Sequence, residues 1–170
     1  SFEAMKQANP GLRLVVVGDG PAGAELLARC PDALLVGSQT GTTLSRHYAS
    51  ADCFIFPSLT ETYGNVTPEA MASGLAVLAY DHAAAGDLIR SGQNGLLAPA
   101  GDEAGFIQRA IRLATDPALV SALRGLASAS VAERDWTRIA EQMELLWIDL
   151  MNRNAGTHRA VPGRALARAV

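Results

Sequence analysis

The sequence is short of lysine and of long apolar runs, and each shortage disfavours a class of function. Lys6 is the single lysine among 14 basic residues, the arginines are scattered, and the formal net charge is −3. This pattern disfavours a basic surface for DNA or RNA, so we expect no nucleic-acid partner. No apolar run approaches the roughly 20 residues that span a bilayer, and the first residues lack a signal-peptide layout. A cytoplasmic location is therefore expected.

Cysteine is also scarce, and several catalytic motifs are missing. Cys30 and Cys53 have no C-x-x-C or histidine partner at ligand spacing, so we interpret them as buried thiols of a reducing compartment. No Walker motif, H-E-x-x-H or G-x-S-x-G occurs, which argues against P-loop, zincin and hydrolase functions. The aspartates never form D-x-D, the spacing that bridges a divalent metal to a diphosphate. No metal site is predicted.

The chain does contain a regular alternation of short apolar runs with stretches of helical period. This pattern is typical of strands buried on both faces of a parallel sheet and predicts a Rossmann-like, doubly wound α/β fold. The predicted strands are 12–17, 33–36, 53–57, 76–80 and 95–97. The helices predicted between them are 23–29, 42–50, 66–73 and 85–91. A helical C-terminal portion follows Pro99, with predicted helices at 102–114, 118–131 and 136–153.

These elements predict one domain over residues 1–153 and a loose tail over residues 154–170. The tail offers little apolar periodicity among its Gly, Pro, Ala and Arg residues, which is typical of an unpacked terminus. Residues 1–8 have the pattern of the end of a helix. Because a doubly wound sheet starts with a strand, we expect the domain to lack its first strand.

A glycine-rich turn, G-D-G-P-A-G at 18–23, formally matches the dinucleotide fingerprint. The match is weak because Pro21 has no N–H for a pyrophosphate. The second predicted strand also ends without the carboxylate that would bind an NAD ribose. We interpret the motif as a tight strand-to-helix turn.

The strongest constellation combines T-E-T-Y-G-N-V at 60–66 with E-A-M-A-S-G-L-A-V at 69–77. It sets Glu61 in a loop at the carboxyl edge of a strand, followed by a helix that we expect Asn65 or Thr67 to cap. Free N–H groups of that helix attract phosphate, and Glu69 can accept two hydrogen bonds from a ribose diol. Alternatively, Glu61 is a solvated carboxylate and Glu69 merely favours the helix start; the residues alone leave both interpretations open.

The two glutamates in this setting resemble the signature of glycosyltransferase family 4, in the C-terminal domain of its GT-B fold. Three further segments resemble that domain in order and spacing: V-V-V-G-D-G-P at 15–21, Y-A-S-A-D-C-F-I-F-P-S at 48–58 and G-Q-N-G-L-L-A-P at 92–99. The resemblance covers roughly residues 1–150.

The resemblance implies roles for particular residues. Glu69 would bind the ribose hydroxyls, and Glu61 would face the donor sugar as the catalytic carboxylate. Backbone amides at residues 64–66 would approach the pyrophosphate or the sugar. The complete set of expected substrate-binding residues is Glu69, Gly64, Asn65, Val66, Thr62, Gly18, Gly37 and Ser38, of which the loop that contains the last two would border the base.

The resemblance further implies a retaining, metal-independent enzyme without a cofactor, which transfers a hexose from a UDP- or GDP-sugar to an acceptor hydroxyl. An acceptor-binding domain and a basic phosphate clamp would precede Ser1, so we expect this chain alone to be inactive. Membrane association would run through that N-terminal domain, and the open sheet edge suggests self-association of the chain. A nucleotide-sugar epimerase of GT-B fold and a non-catalytic nucleotide-binding module are the alternatives.

Overall fold

The computed structural model describes residues 1–132 and 136–157, which belong to two compact units, Ser1–Ala132 and Glu133–Val170. The strands of the first unit are β1 (Val15–Val16), β2 (Leu34–Leu35), β3 (Cys53–Phe56), β4 (Ala76–Tyr80) and β5 (Leu96–Ala98). Its helices are α1 (Phe2–Ala8), α2 (Gly23–Arg29), α3 (Gly41–Ser50), α4 (Val66–Ala72), α5 (Ala83–Leu88), α6 (Glu103–Thr115) and α7 (Pro117–Val131).

The sheet β3-β4-β5 is parallel, and β4 lies at its centre. Every residue of β4 is buried. Its side chains alternate between two apolar cores: Leu78 packs with α6 residues on one face, and Val77 packs with α4 and α5 residues on the other. Helices therefore cover both faces of this sheet, as the predicted doubly wound α/β fold requires.

The five strands form two sheets rather than the single sheet expected. β1 pairs with β2 in one sheet, and neither strand pairs with β3, β4 or β5. At β1 the carbonyl oxygens of Leu14 and Val16 accept from the N–H groups of Leu34 and Val36 on the side of β2. The polar backbone groups of Val15 and Val17 alternate to the other side. β3 is half-buried along its whole length, which is the burial of an edge strand rather than of a central one. That the domain lacks its first strand stays a prediction.

Several boundaries differ from the predicted ones for local reasons. β1 and β2 have two residues each, because their ladder contains only the pairs Val15 with Leu34 and Val16 with Leu35. α5 ends at Leu88, before the predicted end at Ser91. The nearly buried Asn94 ends it, since its side chain accepts from the Arg90 N–H at 2.7 Å and donates to the Leu88 carbonyl at 3.0 Å.

Acidic caps start the two helices that follow the strands. Asp102 Oδ1 accepts from the Gly105 N–H at 2.9 Å at the start of α6. Asp116 Oδ1 accepts from the Leu119 N–H at 2.8 Å at the start of α7, where Pro117 occupies the first turn. The helix predicted over 118–131 is therefore present and begins one residue earlier, where an acceptor cap and a proline favour a helix start.

The second unit contains α8 (Trp136–Thr157), which extends past the predicted end near Arg153. An ion pair between Arg153 and Asp149 at 2.7 Å supports its last turns. The predicted tail overlaps the end of α8, and residues 158–170 lie outside the described residues. Within the described ranges, no helix combines the length and the apolar character that crossing a membrane requires.

Candidate functional site

The loops that follow β1 and β2 are tied together at the carboxyl ends of these strands. The Gly18 N–H donates to the Gly37 carbonyl at 2.8 Å, and Asp19 Oδ2 accepts from the Ser38 N–H at 2.9 Å. Gly37 has a φ of 68°, and a Cβ there would approach Asp19 Oδ1 at 3.3 Å. The predicted residues Gly18, Gly37 and Ser38 therefore lie together, fixed by Asp19.

Glu61 lies in the loop after β3, half-buried. Ser58 Oγ donates to Glu61 Oε1 at 3.0 Å. The same side chain lies along Gly64, whose φ is 85° and where an added Cβ would stand 3.5 Å from Glu61 Cγ. The Ser58 hydroxyl therefore restrains the carboxylate, and the missing side chain of Gly64 leaves space for Glu61.

Three successive backbone amides between the two glutamates have no backbone acceptor among the described residues. The Thr67 N–H is taken by the Gly64 carbonyl at 3.0 Å, and Pro68 has no N–H. The N–H groups of Gly64, Asn65 and Val66 precede the helical bonds of α4 and are not engaged by them. The prediction that Asn65 or Thr67 caps α4 is wrong: Asn65 is the N-cap residue, but it has a helical conformation and its side chain makes no cap bond. The amides therefore remain available to a ligand.

Glu69 is exposed in the first turns of α4, and a residue of α3 holds it. Tyr48 Oη donates to Glu69 Oε2 at 3.2 Å. Burial, together with the charge of Glu69 and the hydrogen bond to it, raises the pKa of Tyr48 to about 12. The phenol is therefore a protonated donor at neutral pH.

The site loop also contacts the start of α5. Thr62 is exposed, and the carbonyl of the next residue, Tyr63, accepts from the Ala84 N–H at 2.8 Å. The adjacent Ala83 has a φ of 49°. A left-handed alanine stores strain of a kind that often accumulates near functional sites.

The predicted residues thus fall into two groups, both at the carboxyl edge of parallel strands, where α/β sheets bind ligands. One group follows β1 and β2, around Gly18, Gly37 and Ser38. The other runs from Glu61 to Glu69 after β3. α3 connects them, since it begins shortly after Ser38 and brings Tyr48 to Glu69.

Two cavities near other strand ends include no predicted site residue. The larger, of about 710 Å³, lies at the amino end of β3 and is lined by Leu12, Asp52, Cys53 and Arg124 among others. Burial, reinforced by the charge of Asp52, raises the pKa of the Cys53 thiol to about 11, so this half-buried cysteine is an inert thiol. In the part of the chain that is described, no three His, Cys, Asp or Glu side chains are grouped to hold a metal ion.

Comparison with known proteins adds the family to this geometry. Residues 1–116 match the family described as Glycosyl transferases group 1. The chain belongs to this family. The match includes both groups of site residues, and the predicted relationship to GT-B glycosyltransferases is confirmed.

Two relatives are mycobacterial GDP-mannose-dependent alpha-mannosyltransferases. The Mycobacterium tuberculosis protein is 42% identical over 95 residues, which cover 56% of this chain and 25% of that protein. The Mycolicibacterium smegmatis protein is 34% identical over 169 residues, which cover 98% of this chain and 41% of that protein. The chain therefore spans less than half the length of these relatives.

Solved structures of glycosyltransferases share the fold. Sucrose-phosphate synthase from Thermosynechococcus elongatus has a TM-score of 0.71 at 28% identity, covering 89% of this chain and 41% of that one. Anabaena Alr3699/HepE, solved in complex with UDP, has a TM-score of 0.74 at 22% identity, covering 87% of this chain and 44% of that one. The α/β fold of GT-B type is confirmed.

Sequence reasoning missed three residues that fix the site: Asp19, Tyr48 and Ser58. Ser58 had a readable signal, since it stands three residues before Glu61 in the same loop. Asp19 lay inside the glycine motif, but its partner Ser38 belongs to another loop. Tyr48 lay inside the segment 48–58 that resembles the family, but only the packing of α3 brings it to Glu69.

Proposed function

We propose that this chain is the donor-binding domain of a glycosyltransferase that moves a hexose from a nucleotide sugar to an acceptor hydroxyl. One observation carries the proposal: Glu61 and Glu69, each held by a hydroxyl donor, flank three free amides at residues 64–66. The carboxylates and amides are thus arranged as acceptors and donors around one loop. That arrangement suits a ligand with hydroxyls at both ends and an anion between them.

A nucleotide diphosphate sugar has this pattern of groups. The diphosphate accepts from the amides of Gly64, Asn65 and Val66, because N–H groups at the start of a helix bind anions. Glu69 accepts from the ribose hydroxyls and Glu61 from the sugar hydroxyls, through charge-assisted hydrogen bonds. Thr62 lines the same loop, and Gly18, Gly37 and Ser38 border the base.

The donor favoured by this proposal is GDP-mannose. Its support is that the two mycobacterial relatives are GDP-mannose-dependent enzymes, one of them 34% identical over nearly the whole chain. A UDP-sugar is the alternative, supported by the UDP complex of HepE at 22% identity. We give GDP-mannose precedence because those relatives are more similar in sequence.

The proposed reaction breaks the bond between the anomeric carbon and the diphosphate, and forms a bond from that carbon to the acceptor oxygen. The proton of the acceptor hydroxyl passes to the released diphosphate. Retention of the anomeric configuration and independence from metals and cofactors belong to the proposal through the family resemblance. The lack of D-x-D also supports metal independence. Without a metal, N–H groups and basic side chains must stabilise the leaving diphosphate.

The proposed partners are the nucleotide sugar and an acceptor-binding domain of the same protein. The chain spans 25% and 41% of the two mannosyltransferases, which leaves room in such proteins for that domain and its basic residues. We propose that transfer requires those parts, that this chain alone is inactive, and that the protein works in the cytoplasm.

Calorimetric titration of this chain with GDP, UDP, ADP and NAD tests the donor site. We expect binding of GDP or UDP, weakened about tenfold or more by Glu69→Ala, because two charge-assisted hydrogen bonds are lost. Glu103→Ala is the matched control, since Glu103 is an exposed glutamate in the first turn of another helix, α6. Binding of NAD alone, or GDP affinity indifferent to Glu69, contradicts the proposal.

Product analysis on a longer protein that contains this chain separates the alternatives. Incubation with a labelled nucleotide sugar and acceptors releases GDP or UDP if the protein is a transferase. An epimerase changes the sugar while the nucleotide stays attached, and a binding module leaves the donor intact.

A further inference from the structure

Tyr48 reaches the edge of the proposed site from a different element than any predicted site residue. It lies near the end of α3, half-buried, and its hydroxyl donates to Glu69 Oε2 at 3.2 Å across 21 residues of sequence. Its ring packs edge-on against Phe54, with centroids 6.0 Å apart. Phe54 in turn stacks on Phe56 at 5.6 Å, so the aromatic side of β3 fixes the tyrosine.

Glu69 needs such a restraint. It is exposed in a seven-residue helix, where a glutamate retains several rotamers. An ionised carboxylate has about four acceptor positions. One hydrogen bond from Tyr48 therefore orients the group and still leaves positions for two further donors.

We propose that Tyr48 is a positioning residue that orients the Glu69 carboxylate toward both ribose hydroxyls, and thereby sets a preference for ribonucleotides over 2′-deoxyribonucleotides. This inference rests on the proposed function, in which Glu69 binds the ribose. Glu69 accepts hydrogen bonds from both ribose hydroxyls at once only when the plane of its carboxylate is fixed. A carboxylate that rotates freely accepts from a single hydroxyl as readily as from two.

The protonation state of the phenol is consistent with this role. The hydroxyl remains a donor throughout the neutral range, because partial burial and the charge of Glu69 disfavour the phenolate and raise the pKa of Tyr48. The carboxylate thus always faces a donor on its Tyr48 side.

Titration with matched ribose and 2′-deoxyribose forms of GDP and UDP tests the inference. For the wild-type chain we expect a clear preference for the ribose forms. Tyr48→Phe keeps the ring that packs on Phe54 and removes only the hydroxyl. We expect it to reduce the preference about five- to tenfold, the equivalent of one hydrogen bond. Affinity for the 2′-deoxy forms should change less than about twofold, which also reports that the variant is folded.

Three further variants complete the design. Glu69→Gln should remove most of the preference, and adding Tyr48→Phe to it should change little, because the two residues act through one hydrogen bond. Tyr80→Phe removes the same hydroxyl from a core ring that packs on Phe106 at 4.7 Å, and should leave the preference unchanged.

The outcomes separate the two proposals. If Tyr48→Phe keeps the wild-type preference for ribose forms and Glu69→Gln loses it, the role of Tyr48 is overturned. The proposed donor site is unaffected by that result. A preference that survives Glu69→Gln overturns the assignment of ribose to Glu69, and the inference with it. Absence of binding to every nucleotide overturns both.

Discussion

Ser58 and Glu61 are joined by a hydrogen bond of 3.0 Å between residues of one loop. The bond restrains the Glu61 carboxylate, and the Cβ and Cγ of the same side chain lie beside Gly64. In the proposed function Glu61 faces the sugar rather than the nucleotide. Loosening it should therefore affect recognition of the sugar and spare recognition of GDP.

We expect Ser58→Ala to weaken binding of GDP-mannose about two- to tenfold and to leave GDP binding unchanged, since one hydrogen bond that orients a carboxylate is lost. Calorimetric titration with both ligands measures the difference. Ser50→Ala is the control, because its hydroxyl bonds to the Arg46 carbonyl within α3. Equal weakening for GDP and GDP-mannose would place the effect of Ser58 on the nucleotide instead.

At the scale of the elements, two helical glycines differ in what surrounds them. Gly125 is exposed in α7, and an added Cβ would meet nothing within 4 Å. Gly105 is buried in α6, where an added Cβ would collide with the Asp102 carboxylate that caps the helix and stand 2.8 Å from Arg109 Nη1.

We expect Gly125→Ala to raise the free energy of unfolding by about 0.5 to 1 kcal/mol, the helix propensity of alanine over glycine. Gly105→Ala should lower the free energy of unfolding by about 1 kcal/mol or more. The loss of the Asp102 cap and the strain in the first turn outweigh the gain in helix propensity. Urea unfolding followed by circular dichroism measures both. Stabilisation by Gly105→Ala would show that the Asp102 cap contributes little.

The elements that the sequence predicted best are those whose signals are local. β4 was predicted at its observed bounds, because five consecutive apolar residues are buried on both faces. The start at Asp116-Pro117 was readable because an acceptor and a proline act within one turn. The early end of α5 could not be read from the sequence around Leu88, because it depends on the buried Asn94 six residues further on.

For the molecule as a whole, the sequence predicted which candidate residues are neighbours along the chain, but not the contacts between elements. Glu61, Gly64 and Glu69 belong to one continuous motif, so their proximity followed from spacing alone. The bond from Tyr48 to Glu69 depends on how α3 packs on β3, which no local pattern encodes. The division into two sheets likewise depends on which strand edges meet.

The two sheets leave backbone edges that bear on self-association. At β1 and just after it, the backbone N–H and C=O groups of Val15 and Val17 point away from β2. Both residues are exposed, with relative accessibilities of 44% and 37%. Just before β3, the Asp52 carbonyl accepts from the Ala76 N–H of β4. Because backbone groups alternate in direction along a strand, those of Cys53 and Ile55 point away from β4. Such edges are templates for pairing with another chain.

We expect this chain to self-associate through these edges, with a sedimentation coefficient that rises as concentration increases. Val17→Pro should suppress the rise, because proline removes an edge donor that the pairing of β1 with β2 does not use. Leu27→Asp is the control: it removes an exposed apolar side chain from α2 and leaves every backbone donor in place. A monomer at every concentration contradicts the expectation. Association that persists in Val17→Pro but disappears in Leu27→Asp would assign it to apolar side chains rather than to strand pairing.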